Sequence, residues 1–166
     1  MIIYTQHKEI EKATCAIFAQ VEKIARFSNL PLECLVQGNL ELMLSEHCVI
    51  GSHLGNLDSG KCTQPCLKKQ YFLLDRKEAL FPLITDQYCR MHVLNGKELS
   101  MLSHVARFKE NNIASLRIEA KYGDFNKTTQ LISLYRKLID GKIVDEAIIN
   151  KYEEDITRGH YFRGVL

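Results

Sequence analysis

Ser115-Leu-Arg-Ile-Glu119, followed by the helical run Thr128 to Asp140, is the stretch on which the fold class turns. Apolar Leu116 and Ile118 alternate with Ser115, Arg117 and Glu119, the period of a strand with one buried face. Behind it, Leu131, Leu134, Tyr135 and Leu138 recur on one face of a helix, and Gly141 stands just past its end. The same pairing recurs upstream. Pro31-Leu-Glu-Cys-Leu-Val36, closed by Gly38, reads as a buried strand. A helix from about Gln6 to Phe27 is expected before it, with Ile10, Ile17, Val21 and Ile24 inward and Asn29 and Pro31 as its stop. Lys97 to Asn111 reads as a helix leading into the Ser115 strand, and Asp145 to about Ile156 as a last helix. Strands alternating with helices imply an α/β fold with parallel strands.

Between these elements the pattern changes. Leu40-Glu-Leu-Met-Leu44 is apolar enough to be strand or helix. From Ser45 to Gln70, glycine recurs at 51, 55 and 60 and polar residues dominate, so a loop-rich segment with little core of its own is expected. Tyr71-Phe-Leu-Leu74 and Phe81-Pro-Leu-Ile84 flank a polar stretch, which predicts a β-hairpin with Pro82 at an edge. The 166 residues, 46% apolar and 25% charged, are expected to form one globular domain, with residues 45–90 as a Cys-rich metal-binding segment inside it. The formal charge of +2 gives no overall bias toward nucleic acid or membrane. No apolar run approaches the roughly 20 residues a membrane helix needs. The opening MIIYTQHKEIEK has no signal-peptide pattern, and a cytoplasmic location is expected.

In a reducing compartment, clustered cysteines hold metal or do chemistry more often than they form disulfides. Cys62-Thr-Gln-Pro-Cys66 places two thiols on one turn stiffened by Pro65, with Cys48 upstream and Cys89 downstream. Four thiolates on a loop-rich segment suit a four-cysteine iron–sulfur cluster or a tetrahedral zinc. The single close pair with two remote partners fits the paired knuckles of zinc ribbons poorly. Cys15, on the first helix, and Cys34, on the first strand, read as inert buried cysteines.

Glu33-Cys-Leu-Val-Gln-Gly38, Met43-Leu-Ser-Glu-His-Cys48 and Gly60-Lys-Cys-Thr-Gln-Pro-Cys66 together resemble the core of the collagenase-like, or U-thirty-two, peptidase family. Leu116-Arg-Ile-Glu-Ala-Lys121 resembles that family's Ile-Glu-Gly-Arg strand, and Thr-Arg-Gly-His-Tyr-Phe-Arg-Gly-Val-Leu166 resembles its closing motif. The matches run in order from about Leu32 to Leu166. The resemblance implies a TIM-barrel-like domain, of which this chain would supply the carboxy-terminal βα units with an inserted Cys-rich loop and hairpin. It also implies a 4Fe–4S cluster on Cys48, Cys62, Cys66 and Cys89. The chain departs from the pattern at Glu41, where the family signature has a cysteine, and at Ala120 and Lys121, which replace Gly-Arg. Cys89 is the expected substitute ligand and Cys34 the weaker one.

The family resemblance implies either proteolysis or oxygen-independent hydroxylation of an RNA base or a quinone precursor, with prephenate implicated as oxygen source in the RNA cases. The residues favour hydroxylation. No His-Glu-x-x-His helix, Gly-x-Ser-x-Gly elbow or Cys–His nucleophile motif is present, and His47, His53 and His160 read as loop residues. Arg117 and Glu119, two apart on one strand face, are the candidate catalytic pair. Arg117 would bind a small carboxylate bidentately, or the two would form a structural ion pair. Asp75-Arg76 and Asp86 with Arg90 read as exposed or supporting residues. Lys68-Lys69 reads as a solvated face, or as a contact to an RNA backbone beside the cluster. A third reading is an inactive fragment, or a subunit completing a barrel with a protein partner through an exposed sheet edge, with a structural zinc.

Overall fold

A computed structural model describes residues 11–13 (backbone only), 17–159 and 161–162. The elements are β1 (Glu11–Ala13), α1 (Phe18–Phe27), β2 (Leu32–Gly38), β3 (Glu41–Ser45), α2 (Val49–Leu54), β4 (Tyr71–Leu74) and β5 (Leu80–Thr85). They continue with β6 (Met91–Leu94), β7 (Glu98–Ser100), α3 (Val105–Glu110), β8 (Ser115–Glu119), α4 (Phe125–Ile139), α5 (Glu146–Tyr152) and β9 (Ile156–Thr157). They divide into two compact units, Met1–Gly38 with Leu99–Leu166, and Asn39–Glu98.

The first unit is built on β2. It pairs in parallel with β1 (Lys12↔Glu33) and with β8 (Glu33↔Ser115), so those two strands flank it on opposite edges. Toward the carboxyl end of β2, β7 runs antiparallel beside it (Gln37↔Ser100). The α/β class with parallel strands is therefore present. The described residues form an open sheet and no closed barrel.

Leu32, Cys34 and Val36 point to the core from alternate positions of β2, where Phe18, Val21, Met101, Val105, Phe108, Leu131 and Leu134 are also buried. Phe18 sits 4.9 Å from Phe108 and 5.7 Å from Tyr161, centroid to centroid. Burying a ring of this size stabilises by roughly 2–3 kcal/mol, so Phe108→Ala would open the centre of the unit. Tyr135 brings a hydroxyl into this core: it donates to the Val36 carbonyl at 2.8 Å and accepts the Met101 N–H at 3.2 Å.

The second unit is a four-stranded antiparallel sheet in the order β3-β6-β5-β4. Met91, Val93 and Leu94 of β6 are buried, with Ile50 of α2. The stretch Leu40–Leu44, ambiguous by periodicity, is resolved as a strand over Glu41–Ser45, because β6 supplies its partner (Leu44↔His92, Ser45↔Met91).

Several expectations need correction. The helix expected from Gln6 to Phe27 begins only at Phe18, and Glu11–Ala13 is a strand paired to β2. Gln6 and Ile10 lie outside the described residues. The helix expected from Lys97 to Asn111 is likewise split. Glu98–Ser100 joins β2, Leu102–His104 is a 3-10 turn, and the α-helix covers only Val105–Glu110. In both places a three-residue strand has too little length for a period of its own, and long-range pairing overrides local helix preference. The last helix stops at Tyr152, and Ile156 begins β9. The hairpin of β4 and β5 is as expected, but its edge strand is β4. Pro82 lies on β5, opposite Phe72 and one residue before the pairing with β6 begins at Leu83.

Candidate metal centre

The chain leaves β3 through a tight turn in which the Ser45 hydroxyl accepts the His47 N–H at 3.2 Å and donates to the His47 carbonyl at 2.9 Å. That turn delivers Cys48 to the cap position of α2, where its Sγ accepts the Gly51 N–H at 3.2 Å. Beyond α2 the backbone doubles back, with the Thr63 N–H on the Gly55 carbonyl at 2.8 Å. Cys62 Sγ then accepts the Gln64 N–H at 3.3 Å. Backbone N–H donors of this kind stabilise a sulfur that carries negative charge.

Two glycines make room for these sulfurs. A Cβ at Gly51 would sit 3.4 Å from Cys48 Sγ and 3.5 Å from Cys62 Sγ, so both thiols face one small space. At Gly55 a Cβ would come within 2.6 Å of Cys62 Sγ. Cys66 rides on the 3-10 turn Pro65–Leu67, which packs against α2.

Cys89 stands in a different turn. Asp86 accepts the Tyr88 N–H at 2.9 Å and the Arg90 N–H at 3.0 Å through Oδ1, while its Oδ2 holds the Arg90 guanidinium at 2.6 Å. This closes the turn with Cys89 in a left-handed conformation (φ 58°) and its thiol exposed. The β3–β6 register ends at Ser45↔Met91, so Cys48 and Cys89 leave the sheet at the same end. Burial pushes the Asp86 carboxyl up, but Arg90 and the two N–H groups outweigh it and hold the group down at about 2.

Among the described residues no three His, Cys, Asp or Glu side chains stand close enough together to hold a metal ion. The fold thus brings Cys48 and Cys62 onto one surface and does not gather Cys66 and Cys89 with them into a single group. The donor chemistry still fits a thiolate-held group, because two N–H-supported sulfurs face a space floored by glycine. Cys34 does not fit. It is fully buried in the core of the other unit, where burial pushes its thiol up to about 11.

Glu41, where the resemblance leads one to expect a cysteine, meets His92: Oε2 lies 2.6 Å from Nδ1. His92 Nε2 in turn lies 3.6 Å from Asp86 Oδ2. Sequence reasoning drew attention to Asp86 with Arg90 and missed this buried imidazole. The contact joins residues 51 apart, and no local pattern announces it.

In the first unit, Arg117 and Glu119 share a face with Glu33 and Ser115, alternating with the buried Leu32, Cys34 and Val36. Arg117 Nη1 donates to Glu119 Oε2 at 2.8 Å, and its Nε lies 3.4 Å from Glu33 Oε1. Glu33, read in the sequence only as part of a motif, is the third member of this group. Gly38 ends β2 with φ at 132°, and a Cβ there would fall 2.3 Å from the Glu119 carbonyl oxygen, so glycine is required for β2 and β8 to lie this close.

The family model described as Peptidase family U32 matches residues 15–161. The chain belongs to peptidase family U32. Curated relatives within reach of this U32 chain carry hydroxylation names. "tRNA hydroxylation protein P1" of Bacillus subtilis (strain 168) is 23% identical over 128 residues, 76% of this chain and 30% of that protein. "tRNA hydroxylation protein P" of Helicobacter pylori (strain ATCC 700392 / 26695) is 26% identical over 117 residues, 68% of this chain and 28% of that protein. The chain therefore spans less than a third of the length of the curated relatives it matches. No solved structure matches it at a significant level. No helix among the described residues of this U32 chain is long and apolar enough to cross a membrane.

Proposed function

We propose that this U32 chain takes part in the oxygen-independent hydroxylation of a tRNA base, with an iron–sulfur cluster held by Cys48, Cys62, Cys66 and Cys89. The observation that carries this reading is the pair of sulfurs facing one glycine-floored space, in a family whose curated relatives above are named for tRNA hydroxylation. A cluster bound there would supply one-electron redox chemistry at a potential set by its hydrogen bonds and exposure. The chain's own residues would do the rest. Gly51 and Gly55 keep the space open, and the Gly51 and Gln64 N–H groups stabilise the thiolates. Glu41, His92, Asp86 and Arg90 hold the Cys89 turn in place.

Arg117 and Glu119 are the proposed polar pair for substrate handling, Arg117 exchanging Glu119 for the carboxylate of a small co-substrate. Because the chain spans less than a third of its relatives' length, the full activity would need the remainder of a TIM-barrel-like domain. Either a longer chain or a protein partner would supply it.

A peptidase is the second reading, and one contact favours it: His47 Nε2 lies 3.0 Å from Ser52 Oγ. A serine nucleophile also needs its histidine oriented by a third group. No carboxylate is hydrogen-bonded to His47 among the described residues, and the Ser52 hydroxyl is also in reach of the Cys48 carbonyl at 3.2 Å. The hydroxylation reading is therefore preferred.

Metal and sulfide analysis with a visible spectrum, on protein purified without oxygen, tests the proposal. About four iron and four sulfide per chain, lost in Cys62→Ser and Cys66→Ser and kept in Cys34→Ser, is the expected result. One zinc and no iron would replace it with a structural four-cysteine site and return the peptidase reading to first place.

A further inference from the structure

The segment that carries Cys62 and Cys66 and the hairpin after it hold five cations that form no ion pair among the described residues. From Asp58 to Glu78 these are Lys61, Lys68, Lys69, Arg76 and Lys77, against three acids, Asp58, Asp75 and Glu78. All five cations are exposed. By contrast, Arg90, Arg107, Arg117 and Arg158 are all engaged, with Asp86, Glu22, Glu119 and Glu153. Asp75 is itself occupied, its Oδ1 accepting the Lys77 and Ala79 N–H groups at 2.7 and 2.9 Å.

The placement of these cations is ordered. Lys61 precedes Cys62, and Lys68 and Lys69 follow the 3-10 turn that carries Cys66. The chain then runs as β4, the edge strand of its sheet, to the hairpin turn that bears Arg76 and Lys77. The four residues of β4, at about 3.3 Å each, span roughly 13 Å between the two groups of charge, with Gln70 and Asp75 at its ends. Between them Phe72 leaves 46% of its surface exposed on that edge. A row of free cations with an exposed ring between them is the composition of a single-strand nucleic-acid surface: phosphates on the charges, a base on the ring.

We infer that Lys61, Lys68, Lys69, Phe72, Arg76 and Lys77 form the surface on which an unpaired stretch of tRNA lies as it approaches the cysteine site, an inference that rests on the RNA reading above. The contacts are to phosphate and to the face of a base, so they supply affinity and register more than sequence choice.

The test is binding of unfractionated tRNA to the anaerobically purified chain across a salt series, with iron content measured on every sample. Lys68→Ala with Lys69→Ala, and separately Arg76→Ala with Lys77→Ala, should each lower the slope of log K against log salt by about 1.4, near 0.7 for each phosphate that is no longer neutralised. Phe72→Ala should weaken binding at all salt concentrations and leave the slope alone. Lys142→Ala, an exposed lysine of the other unit, should change neither. The Arg76 and Lys77 pair lies at the far end of β4 from the cysteine turn, so its effect cannot be a by-product of a disturbed cysteine loop. Wild-type slopes in both double variants would overturn the inference, as would failure of the wild-type chain to bind tRNA. Reduced slopes in a chain that holds no iron would support the surface while sinking the cluster reading, which keeps the two failures apart.

Discussion

His92 Nδ1 and Glu41 Oε2 lie 2.6 Å apart, and through them the start of β3 is tied to the turn that carries Cys89. The imidazole is buried, and its other nitrogen faces Asp86, which anchors that turn through Arg90. Where the resemblance would put a cysteine, this chain has a polar network that runs from Glu41 through His92 and Asp86 to the turn that carries another cysteine, Cys89. If Cys89 takes over the missing ligand's role, Cys89→Ser should lose most of the bound iron. Glu41→Cys in that background should restore it. Full iron in Cys89→Ser would remove Cys89 from the ligand set.

Gly51→Ala and Gly55→Ala should separate room for a cluster from room for the backbone. An alanine methyl at Gly51 makes only ordinary contacts with the two sulfurs, and a helix gains up to about 1 kcal/mol from the exchange. That variant should fold at least as well as the parent and take up less iron. At Gly55 the methyl would meet the Gly51 carbonyl oxygen at 2.6 Å, and both melting temperature and iron should fall. Parental iron content in Gly51→Ala would show that the space between Cys48 and Cys62 is not used.

Asp86 makes the acid limb of stability testable. Its folded-state value of about 2 lies below the ordinary 3.8, so its ionised form adds stability that is fully present above about pH 4. That contribution is lost as pH falls toward 2. The difference in thermal stability between the parent and Asp86→Asn should be constant from neutral pH down to about 4 and shrink below it. A difference that held steady to pH 2 would mean that the Arg90 contact does not set the ionisation of Asp86.

Glu153 and Arg158 fasten the carboxy-terminal motif to the first unit. Arg158 spans both oxygens of Glu153 at 2.7 and 3.0 Å and donates to the Ser100 carbonyl at 2.9 Å. The same carboxylate accepts the Ser103 N–H at 3.2 Å. Arg158→Ala would leave a nearly buried carboxylate without its cation and should cost about 2 kcal/mol in urea unfolding, reduced from the fully buried case because Arg158 is partly exposed. Arg158→Lys should recover little of it, since one ammonium cannot serve both oxygens and a carbonyl. Equal stability of parent and Arg158→Ala would show that the clamp contributes nothing net.

What the sequence determined by itself is what local chemistry can express. Ser115–Glu119 alternates over enough residues to be read as a strand, and four inward residues made α4 readable. Asp124 caps that helix through the Lys127 N–H at 2.8 Å, and Gly141 leaves it at φ 73°. The spacing of Cys62 and Cys66 about Pro65 was legible as a turn, and the structure has the 3-10 turn Pro65–Leu67 there.

Only the tertiary structure decided what depends on a distant partner. Glu11–Ala13 and Glu98–Ser100 became strands because β2 offered unpaired edges, and three residues cannot announce that. That Cys48 and Cys62 share the surface of Gly51 depends on the backbone doubling back after α2, which spacing does not encode. Glu33 meets Arg117, and Glu41 meets His92, across strand pairings fixed by register and not by any neighbour in sequence. A period records which face of an element is apolar; which other element it faces is settled by hydrogen bonds and packing between segments far apart in the chain.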